Sequence, residues 1–371
     1  MCDHARFYIV PCSEQGLMAA GAVTVRETVM AGTEPPPTAP SYSRSCSLGV
    51  DPTYGHPSNG PCTKRCAMFE IECLWECNDG LGESPLWSAE ETSLYWSDHA
   101  GPSMELAGPR WPSIKRLNVV TKQRDVWRMP QQVGSFGFRA TGGLIAGTNS
   151  GFCAVDLETG RIEQIVDPEG DRPHSRLNDG KIDRRGRYWC GSMDGRLKDK
   201  ASYIYRFDPD FTCHKCAEDF SFVCSNGIAF APDDTRMYFG DTTGCAVYVF
   251  DFDIDEGHIE NRRLLLSLED RKPGIIDGAT VDTEGYYWFA LNMGGKILRI
   301  DPQGRIDREI DMPIPSPTCV TFGGDNYETL YVTSQQSFVT PEQLARHPQP
   351  GSLFAIHGLG VQGLPEPKFG G

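Results

Sequence analysis

The sequence predicts an all-β fold, a six-bladed β-propeller from about residue 68 to residue 371, closed by pairing of its N- and C-terminal strands and preceded by a poorly ordered N-terminal leader over residues 1–67. Three observations carry this reading. A unit of two strands joined by a tight polar turn recurs six times, the units begin about 40 to 50 residues apart, and no long amphipathic helical pattern interrupts them.

The leader is rich in Pro, Ser, Thr and Gly, as in GTEPPPTAPSYSRS, and has no sustained periodicity. Met68 opens the first convincing strand, MFEIECLWE, which makes it a candidate alternative start. N-terminal sequencing of the native protein that finds a start well upstream of Met68 refutes that idea. The six units follow: ESPLWSAEETSLYWSDH, GSFGFRATGGLIAGT, DGKIDRRGRYWCGSM, NGIAFAPDDTRMYFGDT, DGATVDTEGYYWFALN and SPTCVTFGGDNYETLYVTS. Their turns carry the Gly, Asp, Asn and Pro that hairpins require. Each of the first five is followed by another extended run, such as SIKRLNV or AVYVFDFDIDEGHIENRRLLL. The sixth is followed by SLFAIHGLGVQGL, and FEIECLWE is left spare at the front. Pairing these two closes the ring and removes the exposed sheet edges that an open ring leaves. Two stacked sandwiches do not account for six near-equal periods.

Composition excludes some partners. With 35 basic against 50 acidic residues and a formal charge of -15, the chain repels nucleic-acid phosphates and anionic lipid, and it favours cations or neutral ligands. No apolar run reaches the roughly 20 residues of a membrane span, and the start MCDHARFYIVPCSEQ lacks the pattern of a signal peptide. A soluble, cytoplasmic protein is expected. Of the 14 cysteines, Cys153, Cys190, Cys224, Cys245 and Cys319 lie in or beside strand-like runs and read as buried free thiols. The pairs Cys62/Cys66 and Cys73/Cys77 do not make a zinc site, since Cys73 lies in an extended pattern where four residues span roughly 13 Å. Cys213 and Cys216 lack a second ligand pair.

Aligned on apolar positions, the six units place Glu83, Gly134, Asp179, Asn226, Asp277 and Ser316 at one equivalent point before the innermost strand, around one mouth of the central channel. At any single site, turn chemistry accounts for an Asn or Asp before Gly. Together, Glu83, Asn226 and Asp277 are electrostatically costly unless a cation sits among them, and their oxygens suit hard divalent ions such as Ca²⁺, Mg²⁺ or Mn²⁺. Gly180, Gly227 and Gly278 let the chain turn tightly there. Arg176 and Asn178 project from the rim, where a guanidinium and an amide read hydroxyls or carboxylates; the alternative for Arg176 is a loop ion pair with Asp171 or Asp183. Lys181 and Asp183 take structural roles.

On the stretches GESPLW, RLNDGKID, SNGIAFAPD, IDGATVDTEG and CVTFGGDNYETLYVTS, the chain resembles the SMP-30/gluconolactonase family, also called the regucalcin or sugar-lactone lactonase family. The resemblance spans about residues 68–371. It implies a six-bladed propeller holding one divalent metal (Ca, Zn, Mn, Mg or Fe) on Glu83, Asn226 and Asp277, with substrate contacts from Arg176 and Asn178. One departure stands out: where animal-type relatives carry an acidic substrate contact, this chain has Arg196, with Asp194 nearby. The loop AGPSMELAGPRWPSIKR is long enough to contribute to a lid, and Trp111 in it is read as an ordinary loop anchor, the alternative being a ring that packs over a sugar. The expected activity is divalent-metal-dependent hydrolysis of a sugar lactone, gluconolactone-like, to the aldonic acid. Asp277 is expected to accept the proton of the attacking water, with Asp179 the fallback. No G-x-S-x-G elbow offers a nucleophilic serine. The rivals are a non-catalytic calcium-binding regulatory propeller and a phosphotriesterase-like or aryl-ester hydrolase.

Overall fold

The second strand of four of the six repeats carries an aromatic pair: Tyr95-Trp96, Tyr188-Trp189, Tyr238-Phe239 and Tyr287-Trp288. Adjacent residues on a strand point to opposite faces, so burial of both members requires a sheet covered on both sides. A propeller blade, packed between two neighbours, meets that condition. Trp96, Trp189, Trp288, Tyr188, Tyr238 and Tyr287 are all fully buried.

The computed structural model describes residues 69–99 and 111–371 and the backbone of two short strands, Arg26–Val29 and Tyr42–Ser43. It has six antiparallel sheets. From the hub outward, the first blade runs Gly82–Ser88, Ser93–Asp98, Ser113–Asn118 and Arg124–Arg128, and the second Val133–Phe138, Leu144–Thr148, Gly151–Asp156 and Arg161–Val166. The third runs Ser175–Ile182, Tyr188–Asp194, Ile204–Phe207 and Cys213–Cys216, and the fourth Ser225–Phe230, Arg236–Asp241, Ala246–Asp253 and His258–Ser267. The fifth runs Ile275–Val281, Tyr287–Asn292, Lys296–Ile300 and Ile306–Asp311. The sixth begins with Pro317–Gly323, Thr329–Ser334 and Leu353–His357, and Glu70–Trp75 is laid against its outer side. The ring therefore closes as the sequence predicts, with Ile71 opposite Ile356 and Cys73 opposite Phe354. Among the described residues the one α-helix is Pro341–Arg346, started by a capping box between Thr340 and Gln343.

Within the leader, Arg26–Val29 adds to the outer strand of the first blade and Tyr42–Ser43 to Glu70–Trp75. The rest of residues 1–68 lies outside the described residues, and with it the expectations for the leader, for Met68 and for Cys62 and Cys66. Residues 100–110 of the expected lid loop are also outside. Cys153, Cys190, Cys224, Cys245 and Cys319 are buried free thiols, as expected.

Three buried indoles are tied to the same kind of partner. Trp96, Trp189 and Trp288 each donate to a carboxylate at 2.8 Å, on Asp79, Asp183 and Asp282 respectively. Lys115, Arg187 and Arg299 neutralise those three acids. Pairing offsets the desolvation that a lone buried carboxylate suffers. Asp183 thus has the structural role expected of it, and Lys181 is likewise engaged by Glu366 of the C-terminal segment at 2.8 Å.

Candidate metal centre

All six innermost strands carry a register shift against their second strand: between Glu83 and Leu86, Val133 and Ser135, Leu177 and Gly180, Asn226 and Ala229, Ile276 and Ala279, and Pro317 and Val320. Each shift is one extra residue on the inner strand, a β-bulge, which breaks the alternation of side chains and re-aims them. Bulges correct the single equivalent point that alignment on apolar positions predicts. Glu83 and Asn226 are the last paired residues before the bulge, Asp277 is the first residue inside it, Asp179 is the second, and Ser316 lies ahead of its strand. The extra residue lets neighbouring ladder positions face the same hub.

The bulges are laced across every seam of the ring. Ser84 Oγ donates to Gly134 O at 3.0 Å, Ser135 Oγ to Asn178 O at 2.6 Å, and Asn178 Nδ2 to Ser225 O at 2.8 Å. Thr242 Oγ1 donates to Ile276 O at 3.0 Å, Gln335 Nε2 to Asn292 Oδ1 at 3.0 Å, and Thr318 Oγ1 to Gly82 O. Gly227, at φ +60°, is a position only glycine fills, because a Cβ would stand 2.2 Å from Tyr287 Oη, which itself bonds Gly227 O at 2.7 Å.

This lacing orients the candidate ligands. The single hydroxyl proton of Thr242 is used on Ile276 O, so Thr242 Oγ1 accepts from Asn226 Nδ2 at 2.8 Å, which leaves Asn226 Oδ1 as the free-facing oxygen of that amide. Asn178 Nδ2 donates to that oxygen at 3.3 Å, which leaves it one lone pair. In the fifth blade, Gln335 fixes Asn292, and Asn292 Nδ2 donates to Asp277 Oδ2 at 2.7 Å.

The electrostatics of the hub favour a cation or bound protons among its acids. Glu83, Asn226, Asp277 and Asp179 are all buried. Burial, then the charges of Asp277 and Asp179, push the Glu83 carboxyl well above its usual range, against which Arg176 acts weakly. Burial pushes Asp277 up to about 8, and Asp179 adds to the effect, while the Asn292 bond opposes it. Burial raises Asp179 to about 6 against the pull of Lys181. Glu83 feels the charges of Asp277 and Asp179, and Asp277 that of Asp179, so the three acids share one hub. Among the described residues no three acid, imidazole or thiol groups could hold a metal by themselves. A metal here requires the Asn226 amide alongside the two carboxylates, an all-oxygen set that fits a hard divalent ion.

Arg176 makes one hydrogen bond among the described residues, Nη1 to Leu177 O at 3.0 Å. The ion pairs considered for it do not form: Asp183 is held by Arg187, and Asp171 lies 3.6 Å from Arg172. Arg196 is tied back to Asp194 at 3.1 Å and Asp199 at 2.5 Å, and Asp194 accepts from the Lys198 and Asp199 amides. Both side chains are committed to their own turn. Trp111 is 47% exposed with the Arg128 guanidinium 4.2 Å from its ring centre.

Sequence reasoning missed Thr242, Asn292, Gln335 and His99, all at or just past the end of a second strand. The ladder that pairs strand ends was their only signal: His99, Thr242 and Gln335 donate the same backbone bond, to Leu81, Cys224 and Ser316.

The family model described as SMP-30/Gluconolactonase/LRE-like region matches residues 81–336. Regucalcin of Oryctolagus cuniculus is 33% identical over 312 residues, covering 82% of this chain and all of its own. The 6-deoxy-6-sulfogluconolactonase of Pseudomonas putida is 34% identical over 301 residues, covering 81% of this chain and 99% of its own. Among solved structures, a luciferin-regenerating enzyme superposes with a TM-score of 0.73 at 25% identity, over 81% of this chain and 99% of that one.

Proposed function

The chain belongs to the SMP-30/gluconolactonase/LRE-like family, and on that premise we propose that it is a divalent-metal-dependent lactonase that opens a sugar lactone of the aldonolactone type to its aldonic acid. The observation that carries this is the pair of buried carboxylates, Glu83 and Asp277, facing one hub with the oriented amide oxygen of Asn226. The relative from Pseudomonas putida, named for a sulfogluconolactone, supports a lactone as substrate class.

Glu83, Asn226 and Asp277 would hold the cation. Polarisation of the lactone carbonyl and stabilisation of the oxyanion are the chemistry that a divalent ion supplies when bound. Asp277 takes the proton of the attacking water and returns it to the ring oxygen as the acyl C–O bond of the lactone breaks, and the Asn292 bond to Oδ2 holds its carboxylate plane in place while it does so. Asn178, pinned through Nδ2 to Ser225 O, presents its amide oxygen to a ring hydroxyl. Arg176, with most of its donors unused, orients the remaining hydroxyls and the carboxylate of the aldonic acid product. Asp179 accepts the Ile228 amide at 3.1 Å and acts as a supporting charge.

Relatives named regucalcin keep a second reading open, a calcium-binding propeller without turnover. Metal-free protein, supplied in turn with Ca²⁺, Mg²⁺, Mn²⁺, Zn²⁺ or Fe²⁺ and a panel of aldono-1,4- and 1,5-lactones, separates the two by proton release. Chelator-sensitive acid release supports the lactonase; tight ion binding with no turnover across the panel refutes it. Asp277→Ala and Glu83→Ala are expected to lose metal and activity while the protein stays β-rich. Full activity in either variant overturns the site.

A further inference from the structure

Of His99, Thr242 and Gln335, His99 alone has no side-chain hydrogen bond among the described residues. Its counterparts in the fourth and sixth blades, Thr242 and Gln335, share its backbone bond to the residue ahead of the inner strand. Both use their side chains at the mouth, Thr242 on Asn226 and Gln335 on Asn292. His99 is 2% exposed, and neither ring nitrogen has a hydrogen-bond partner. The ring lies beside the Val133 and Gly134 backbone, which acts on it weakly and without a well-formed hydrogen bond, and within electrostatic reach of Arg176. It therefore stands at the seam of the first and second blades, on the Arg176 side of the hub.

A buried imidazole with both nitrogens idle is costly to keep unless something arrives to use them. We propose that His99 is a substrate-contacting residue that hydrogen-bonds a hydroxyl of the bound lactone beside Arg176 and selects for the presence and configuration of that hydroxyl. This deepens the lactonase reading and rests on it. A neutral imidazole carries one N–H and one lone pair, which matches a hydroxyl, itself both donor and acceptor. Burial, with the Arg176 charge, lowers the His99 pKa to about 3, so the ring is neutral across the physiological range. A carboxylate wants two donors, and Arg176 already offers a fork of them.

The test compares wild-type protein with His99→Leu and His99→Gln on D-glucono-1,5-lactone, on its single-carbon epimers and on unsubstituted δ-valerolactone. In His99→Leu the preference for gluconolactone over δ-valerolactone is expected to fall about tenfold, as loss of one hydrogen bond to a substrate hydroxyl predicts. Discrimination among the epimers falls with it, and His99→Gln recovers part of both. Unchanged preference ratios in His99→Leu overturn the proposal. In parallel, imidazole resonances of histidine-labelled protein are followed as gluconate is added, with the His99 signal identified by its absence in His99→Leu. A shift of that signal is expected, and no shift overturns the contact. If the wild-type protein opened no lactone at all, the lactonase reading would fall by that result alone, while the gluconate titration would still decide the role of His99.

Discussion

Asn292 Nδ2 donates to Asp277 Oδ2 at 2.7 Å from a position 15 residues further along the chain, and Asn292 is itself held by Gln335 of the next blade. A candidate metal ligand is thus aimed by a two-residue relay across a blade seam. Asn292→Ala is expected to leave the fold intact and weaken divalent-ion affinity by about 10- to 100-fold, the usual effect of removing a group that orients a ligand. Isothermal titration of metal-free protein reads this. Affinity equal to wild type would mean that the bulge alone places Asp277.

Arg176 lies half-buried with one backbone hydrogen bond and no acid paired to it among the described residues. Arg176→Ala is expected to raise KM for aldonolactones about tenfold or more, the loss of at least one charged hydrogen bond, with a smaller change in kcat. Ion affinity stays close to wild type. Steady-state kinetics over the lactone panel check the split; an unaffected KM for every lactone removes Arg176 from the substrate site.

Asp79 draws together the ring's closure. It accepts from Trp96 Nε1 and Lys115, and its backbone bonds Gly351 and Gln336 of the sixth-blade region. Asp79→Ala strands a buried Lys115 with only Asp98, 3.5 Å away, and is expected to destabilise the protein by about 3–5 kcal/mol. Urea denaturation measures it. A loss below about 1 kcal/mol, the scale of an exposed pair, would show the clasp to be marginal.

Stability between pH 5 and 6.5 reports on His99. Its folded value of about 3 lies below the ordinary 6.5, so within that window the unfolded chain binds more protons than the native one. The stability that neutral His99 contributes is whole above pH 6.5 and is lost as pH falls, by about 2 kcal/mol at pH 5 for a group ordinarily titrating at 6.5. Arg176, which opposes protonation, and Asp98, which favours it, are the charges acting on the ring. His99→Leu is expected to flatten this part of the Tm profile. Parallel profiles for variant and wild type would show that the ring is not neutral in the native protein.

The blades and their closure were legible because hairpin turns and strand alternation repeat at a near-constant interval, and FEIECLWE had no other strand to meet. The convergence of oxygen-bearing residues at the hub was legible in outline through ESP, NDG, SNG and IDG. The bulges were not. An inserted residue reads as a continuing strand, so Asp277 and Asn226 seemed equivalent when they stand one ladder position apart. Thr242, Asn292, Gln335 and His99 were hidden because each sits at or just past a strand end, where a polar residue looks like the start of a turn.

The belt of hydrogen bonds joining all six bulges has no free end, since Thr318 in the last blade grips Gly82 in the first. During synthesis the ribosome issues Glu83 long before Asp277 and the closing strand Leu353–His357. Until that strand has emerged the acids sit on an unjoined arc. For the ion proposed at the hub, capture would be a certificate of completion: a nascent or truncated molecule would not retain it, and only a finished circle would.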